Sequence, residues 1–156
     1  MEISLRPFRP DDKDVLFAIY AGTRQEEMAA WGWNALQQET FLRMQFGAQS
    51  QSYDAAYPDA SHRIICAGER AIGRILVHRD AGSVLLVDIA LLPEFRGQGI
   101  GTRFLHELLK EAESSHLPVR LHVQKTNIGA QRLYERLGFL KTGEDEIYWQ
   151  MERPPV

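Results

Sequence analysis

The sequence predicts an α+β fold, with a mixed, mainly antiparallel central β-sheet flanked by helices. Three observations lead there. Apolar residues recur at helical spacing through most of the first sixty positions. From Arg63 onward the pattern changes to short apolar runs separated by turn residues. A strand–turn–helix–strand passage between Val87 and Val123 then calls for a parallel pair inside the sheet.

Taken in order, Ile3 to Phe8 reads as a short strand closed by Pro7 and Pro10. Asp11 and Asp12 open a helix, because acids suit the positive first turn. Val15, Leu16, Ile19 and Tyr20 give it an apolar stripe, and the spacing predicts that it continues to about Ala30. Trp31-Gly32-Trp33 breaks it. Asn34 is placed to cap a second helix carrying Phe41, Leu42, Met44 and Phe46, running to about Tyr53 with Pro58 as its outer limit. Strands follow at Ile64 to Ala67, Ala71 to His78 and Ser83 to Leu92, separated by Gly68-Glu69-Arg70 and Asp80-Ala81-Gly82. A helix from about Gly99 to Ser115 has Phe104, Leu105, Leu108, Leu109 and Ala112 on one stripe. Pro118 to Val123 is a strand, and Gln131 to Leu137 a short helix closed by Gly138. Phe139 to Thr142 and Ile147 to Met151 form a last hairpin around Gly143.

At 156 residues the chain suits a single domain, 1–156, with a sizeable core. A net charge of −3 gives no electrostatic case for nucleic acid. No apolar stretch is long enough to span a bilayer, and Met1 to Arg6 lacks the basic-then-apolar character of a signal peptide. The single Cys66 rules out an internal disulfide and fits a reducing compartment, so a cytoplasmic location is expected. Cys66 itself lies in an apolar run and reads as a small core residue.

The chemistry concentrates in Arg96-Gly97-Gln98-Gly99-Ile100-Gly101-Thr102, shortly after the strand to Leu92 that Pro93 stops. Three glycines at every second position disfavour a helix interior and suit a loop that something bulky must approach closely. A helix start offers unpaired N–H groups and the positive end of the dipole, so a phosphate oxygen can reach several donors at once, and Arg96 can add a charge-assisted bond. The phosphate-gripping loop of nucleoside triphosphatases requires a Lys-Ser/Thr pair that is absent here. The dinucleotide-binding fingerprint requires a third glycine where Thr102 stands.

About thirty residues on comes Asn127-Ile128-Gly129-Ala130-Gln131-Arg132-Leu133-Tyr134-Glu135-Arg136-Leu137-Gly138-Phe139. Together the two stretches resemble the two signatures of the GNAT N-acetyltransferase superfamily. The first resembles R/Q-x-x-G-x-G/A through Arg96, Gly99 and Gly101; the second resembles N-x-x-A-x-x-L-Y-x-x-x-G-F through Asn127, Ala130, Leu133, Tyr134, Gly138 and Phe139. The resemblance covers roughly Ile64 to Glu152. It implies a coenzyme-binding core over 63–152 and a variable helical acceptor region over 1–60.

The resemblance implies that acetyl-CoA is the acetyl donor and that no metal takes part. Arg96, Gly97, Gln98, Gly99, Ile100, Gly101 and Thr102 would hold its diphosphate. The backbone of Ile89, Ala90 and Leu91 would pair with the pantetheine arm as an added strand does. Asn127 and Ala130 would meet that arm, and Tyr134 would lie near the coenzyme sulfur and protonate the departing thiolate. The plainer alternatives are that Tyr134 packs the core and that Asn127 caps a helix starting at Ile128.

The base that takes the amine proton is open among His122, Asp88 and water. His122 alternates with the apolar Val119, Leu121 and Val123, so it points to the other face of its strand. Several relatives in the superfamily carry a catalytic Glu at the matching place; histidine is a competent base near neutral pH, or else a hydrogen-bonded core residue. Asp88 is the lone acid of its strand. Trp31, Trp33, Tyr53 and Trp149, with Glu26, Glu27 and Asp54, would suit a cationic acceptor, or are ordinary core and surface. Three functions follow: an N-acetyltransferase acting on a small primary amine, the same reaction on a peptide or protein, or a non-catalytic acyl-CoA-binding sensor. Both monomer and homodimer are open.

Overall fold

The computed structural model describes residues 2–24 and 28–156. Seven strands form one sheet: β1 (Ile3–Pro7), β2 (Ser61–Ala67), β3 (Arg70–Arg79), β4 (Val84–Leu91), β5 (Val119–Gln124), β6 (Leu140–Glu144) and β7 (Tyr148–Arg153). Their spatial order is β1-β2-β3-β4-β5-β7-β6. Pairs β1/β2, β5/β7 and β6/β7 are antiparallel, while β4/β5 is parallel, with Val84 opposite Val119 and Leu86 opposite Leu121. That parallel pair is the one the strand–helix–strand passage required. The helices are α1 (Lys13–Gly22), α2 (Ala35–Ala56), α3 (Ile100–Ser114) and α4 (Ile128–Arg136), with single 3₁₀ turns at Pro10–Asp12 and Pro93–Phe95.

The chain divides into two compact units, Met1–Ile75 with Ile89–Gly101, and Leu76–Asp88 with Thr102–Val156. The first holds α1 and α2, with Ile19, Ile64, Ile65 and Ile72 fully buried. Tyr20, Met28 and Leu42 form an apolar cluster there, flanked by Phe17, Phe41 and Phe46. Ahead of α1, buried Asp12 accepts two bonds from Arg6, at 2.9 and 2.7 Å, and one from the Arg9 N–H at 2.7 Å. Those bonds, the Arg6 one foremost, hold its carboxyl below the usual carboxylate range despite burial.

Three helical expectations need correction. The first helix stops at Gly22 rather than near Ala30. Thr23 ends it, its hydroxyl donating to the Tyr20 carbonyl at 2.7 Å, which competes with continued helix. The second helix is capped by Asn34 as expected, in a reciprocal box with Gln37 (2.8 and 3.0 Å). It runs on to Ala56, and Met44 faces outward, two residues from buried Leu42 and so on the opposite side of the helix. The short helix late in the chain starts at Ile128, not Gln131, because Asn127 accepts the Ala130 N–H at 3.1 Å.

The second unit is built on α3, whose Phe104, Leu105, Leu108, Leu109 and Ala112 are buried as the spacing predicts. On β5, Val119, Leu121 and Val123 alternate inward with exposed Arg120 and His122. Phe139 and Met151 are also deeply buried there. The last hairpin turns after Glu144 rather than at Gly143: Asp145 accepts the N–H groups of Ile147 (2.8 Å) and Tyr148 (2.7 Å). Gly143 instead sits in β6 where the register with β7 shifts, a bulge, and a Cβ there would come 2.9 Å from Gln150 Oε1.

Candidate functional site

In the first unit, β4 ends at Leu91 and the chain turns through Leu92 and the 3₁₀ turn into Arg96. Arg96 is extended (φ −76°, ψ 156°), exposed, and its Nε donates to the Leu91 carbonyl at 3.2 Å. Gln98 donates to the Glu94 carbonyl at 3.0 Å, tying the loop back on itself. Gly97 and Gly99 have φ of 73° and 81°, where a side chain is strained. A Cβ on either would meet nothing within 4 Å. Conformation, not crowding by the protein's own atoms, is therefore what those two positions require. Gly101 lies in α3, where a Cβ would make an ordinary contact with Ile89 Cδ1 at 3.9 Å. The result is an exposed run of backbone at the start of a helix that is 15 residues long.

In the same unit two glycines outside the sequence motifs are crowded. A Cβ on Gly73 would lie 2.4 Å from the Ala90 carbonyl oxygen and 2.7 Å from Leu91 Cδ2. A Cβ on Gly22 would lie 2.9 Å from both Cγ and Cδ of Pro93. Neither belongs to a recognisable pattern. Gly73 sits in an apolar strand, where an isolated glycine signals close backbone approach; that was the available sign. Beyond Leu86, the last residue in register with β5, β4 continues to Leu91, so Ile89, Ala90 and Leu91 lie past that register.

In the second unit, α4 carries Tyr134, buried, its ring 5.6 Å from that of Phe139. Burial, and after it the negative charge of Asp88, pushes the phenol up to about 12. Asn127 and Ala130 occupy the first turn of α4, joined by the capping bond. Buried Gln131 donates to the carbonyls of Gln124 (3.1 Å) and Lys125 (2.9 Å), fastening α4 to the end of β5; the motif gave no sign of it. His122 is exposed and faces Gln150 across the β5/β7 register. Thr102 follows the loop inside α3.

The aromatic residues expected to meet an acceptor divide. Trp31 and Trp33 are exposed and pack edge-on with each other and with Phe41, at centroid distances of 5.1, 5.7 and 5.3 Å. Tyr53 lies under the Arg74 guanidinium at 5.7 Å. Trp149 already holds two cations, Lys125 at 4.9 Å and Lys141 at 4.2 Å from its ring centre. Asp54 is exposed, and Glu26 and Glu27 lie outside the described residues. Among the described residues there is no group of three or more His, Cys, Asp or Glu placed to hold a metal, and no helix long and apolar enough to cross a membrane.

The seven-stranded, mostly antiparallel mixed sheet with its four helices has the architecture of the GNAT fold. The acetyltransferase (GNAT) family profile matches residues 22–139, and the chain belongs to that family. Streptothricin acetyltransferase A of Bacillus subtilis (strain 168) is 34% identical over 80 residues, covering 50% of this chain and 46% of that protein. The match thus spans about half the length of that curated relative. Among solved structures, the PaiA N-acetyltransferase of Thermoplasma acidophilum in complex with coenzyme A superposes with a TM-score of 0.74 at 21% identity, covering 99% of each chain. The ribosomal-protein-S18-alanine N-acetyltransferase of Escherichia coli gives 0.68 at 19% identity, covering 99% of this chain and 95% of that one. These structures share the fold.

Proposed function

We propose that this chain transfers the acetyl group of acetyl-CoA to a primary amine, and that the amine is a small molecule. The observation that carries the reading is the glycine loop: Gly97 and Gly99 at positive φ with open space around them, one residue after Arg96 and at the start of α3. The coenzyme A in the Thermoplasma acidophilum structure and the family profile support acetyl-CoA as donor. The name of the Bacillus subtilis relative supports a small-molecule acceptor.

In this reading Arg96, Gly97, Gln98, Gly99, Ile100, Gly101 and Thr102 cradle the diphosphate. Ile89, Ala90 and Leu91 pair with the pantetheine arm, and Asn127 and Ala130 contact it. The neutral amine attacks the thioester carbonyl, the N–C bond forms and the C–S bond breaks. The amine proton passes to His122, with Asp88 or water as the competing acceptor. The departing thiolate takes its proton from Tyr134. A phenol pushed up to about 12 is fully protonated throughout the neutral range, so it is always loaded for donation.

The test is release of coenzyme thiol from acetyl-CoA in the presence of a panel of free amines and of peptides. Faster release with free amines supports the proposal. Faster release with peptides moves the acceptor to a polypeptide. Stabilisation by acetyl-CoA with no release on any amine would make the chain a sensor.

A further inference from the structure

The 3₁₀ turn that delivers Arg96 to the glycine loop rests on the last residue of α1. A Cβ built on Gly22 stands 2.9 Å from Pro93 Cγ and Cδ and 3.6 Å from Arg96 Nη2. The first two distances are shorter than carbon atoms tolerate, and the proline ring is a closed, rigid group that cannot swing aside. Glycine is not at this position for its backbone: Gly22 is helical, with no positive φ. Alanine is the better helix former, so helix propensity argues against glycine there. What the position requires is the absence of a side chain. The consequence reaches Arg96, whose Nε donates to the Leu91 carbonyl at 3.2 Å and whose Nη2 would lie 3.6 Å from a Gly22 Cβ.

We propose that Gly22 is a positioning residue for coenzyme binding: its missing side chain seats Pro93 and so holds the Arg96 guanidinium where it meets the diphosphate. This rests on the reading of the glycine loop as the acetyl-CoA cradle. Gly22 touches no ligand and acts only through Pro93 and Arg96. It lies well outside both motifs, on a helix of the segment otherwise expected to serve the acceptor.

The inference is tested with two donors that differ in the part Arg96 would hold. Acetyl-CoA carries the diphosphate; acetyl-pantetheine lacks it. Gly22→Ala should weaken acetyl-CoA binding by roughly tenfold, a small step on the affinity scale, and leave acetyl-pantetheine unchanged. Pro93→Ala keeps Gly22 and removes the ring seated on it, at an exposed position. It should weaken acetyl-CoA by a smaller factor, again without effect on acetyl-pantetheine. Gly22→Ala/Pro93→Ala moves the bulk from one side of the contact to the other and should recover most of the loss, a coupling that independent sites do not show. Should Gly22→Ala fail to fold, Pro93→Ala and the double variant still give the comparison. Equal weakening of both donors, or additive losses in the double variant, would overturn the inference while leaving the cradle in place. A wild-type protein that binds neither donor would overturn the cradle and the inference together.

Discussion

In the proposed reaction Tyr134 protonates the departing thiolate, and two of its properties can be checked separately. Tyr134→Phe keeps the ring against Phe139 and removes the hydroxyl. Turnover should fall by about 10²–10⁴, the usual worth of a positioned proton donor, with donor affinity nearly unchanged; near-normal turnover with chemistry rate-limiting would assign the proton elsewhere. The raised pKa has a separate consequence for stability. Between the unperturbed value near 10 and about 12, the folded state keeps a proton that the unfolded chain has lost. Stability is therefore retained below pH ~10 and falls as pH rises toward ~12, by about 2–3 kcal/mol in all. Tyr134→Phe should remove that part of the alkaline slope in unfolding titrations. For the base, His122→Gln should lower turnover without moving donor affinity. Near-normal turnover there, together with a greater loss in Asp88→Asn, would shift the role to Asp88.

The elements were legible where local chemistry fixes them, and illegible where a contact distant in sequence does. Asn34 and Asn127 announced helix starts by their capping side chains, and Gly138 a helix end by its freedom at positive φ; both asparagines cap, and Gly138 follows the Leu137 C-cap at φ 96°. The end of α1 at Gly22 is set by a threonine back-bond and lies against Pro93, far along the chain, so apolar spacing alone carried the helix too far. The final turn was misplaced because Gly143 looks like a turn residue, whereas its lack of a side chain serves a bulge and Asp145 makes the turn. Two stability tests belong at this scale. Asp12→Asn breaks the buried pair with Arg6, and because Arg6 is partly exposed the cost should sit below the fully buried range, about 2 kcal/mol. The Asp12 contribution is present above the unfolded carboxylate value near 3.9 and lost as pH falls through the lower folded value, so the variant should also show a flatter acid limb of stability. Gly73→Ala forces a methyl against the Ala90 carbonyl and should cost about 1–3 kcal/mol in denaturant melts; an unchanged midpoint would show that β4 yields there freely.

At the scale of the whole molecule, the family and the sheet could be read from two motifs and one change of period, because glycines with special φ and a parallel crossover leave strong marks in sequence. The acceptor could not, because the aromatic residues expected to meet it carry no motif: Trp31, Trp33 and Phe41 stack on one another, and Trp149 is taken up by Lys125 and Lys141. In the proposed reading Gly97 and Gly99 hold an open backbone cradle for the diphosphate of acetyl-CoA. The most direct measurement is the melting temperature of the wild-type chain and of Gly99→Asp, each with and without acetyl-CoA. A clear rise with ligand is expected for the wild type and none for Gly99→Asp, which puts a strained side chain and a negative charge where the diphosphate would sit while its far-UV spectrum stays native. An equal rise in both proteins would contradict it.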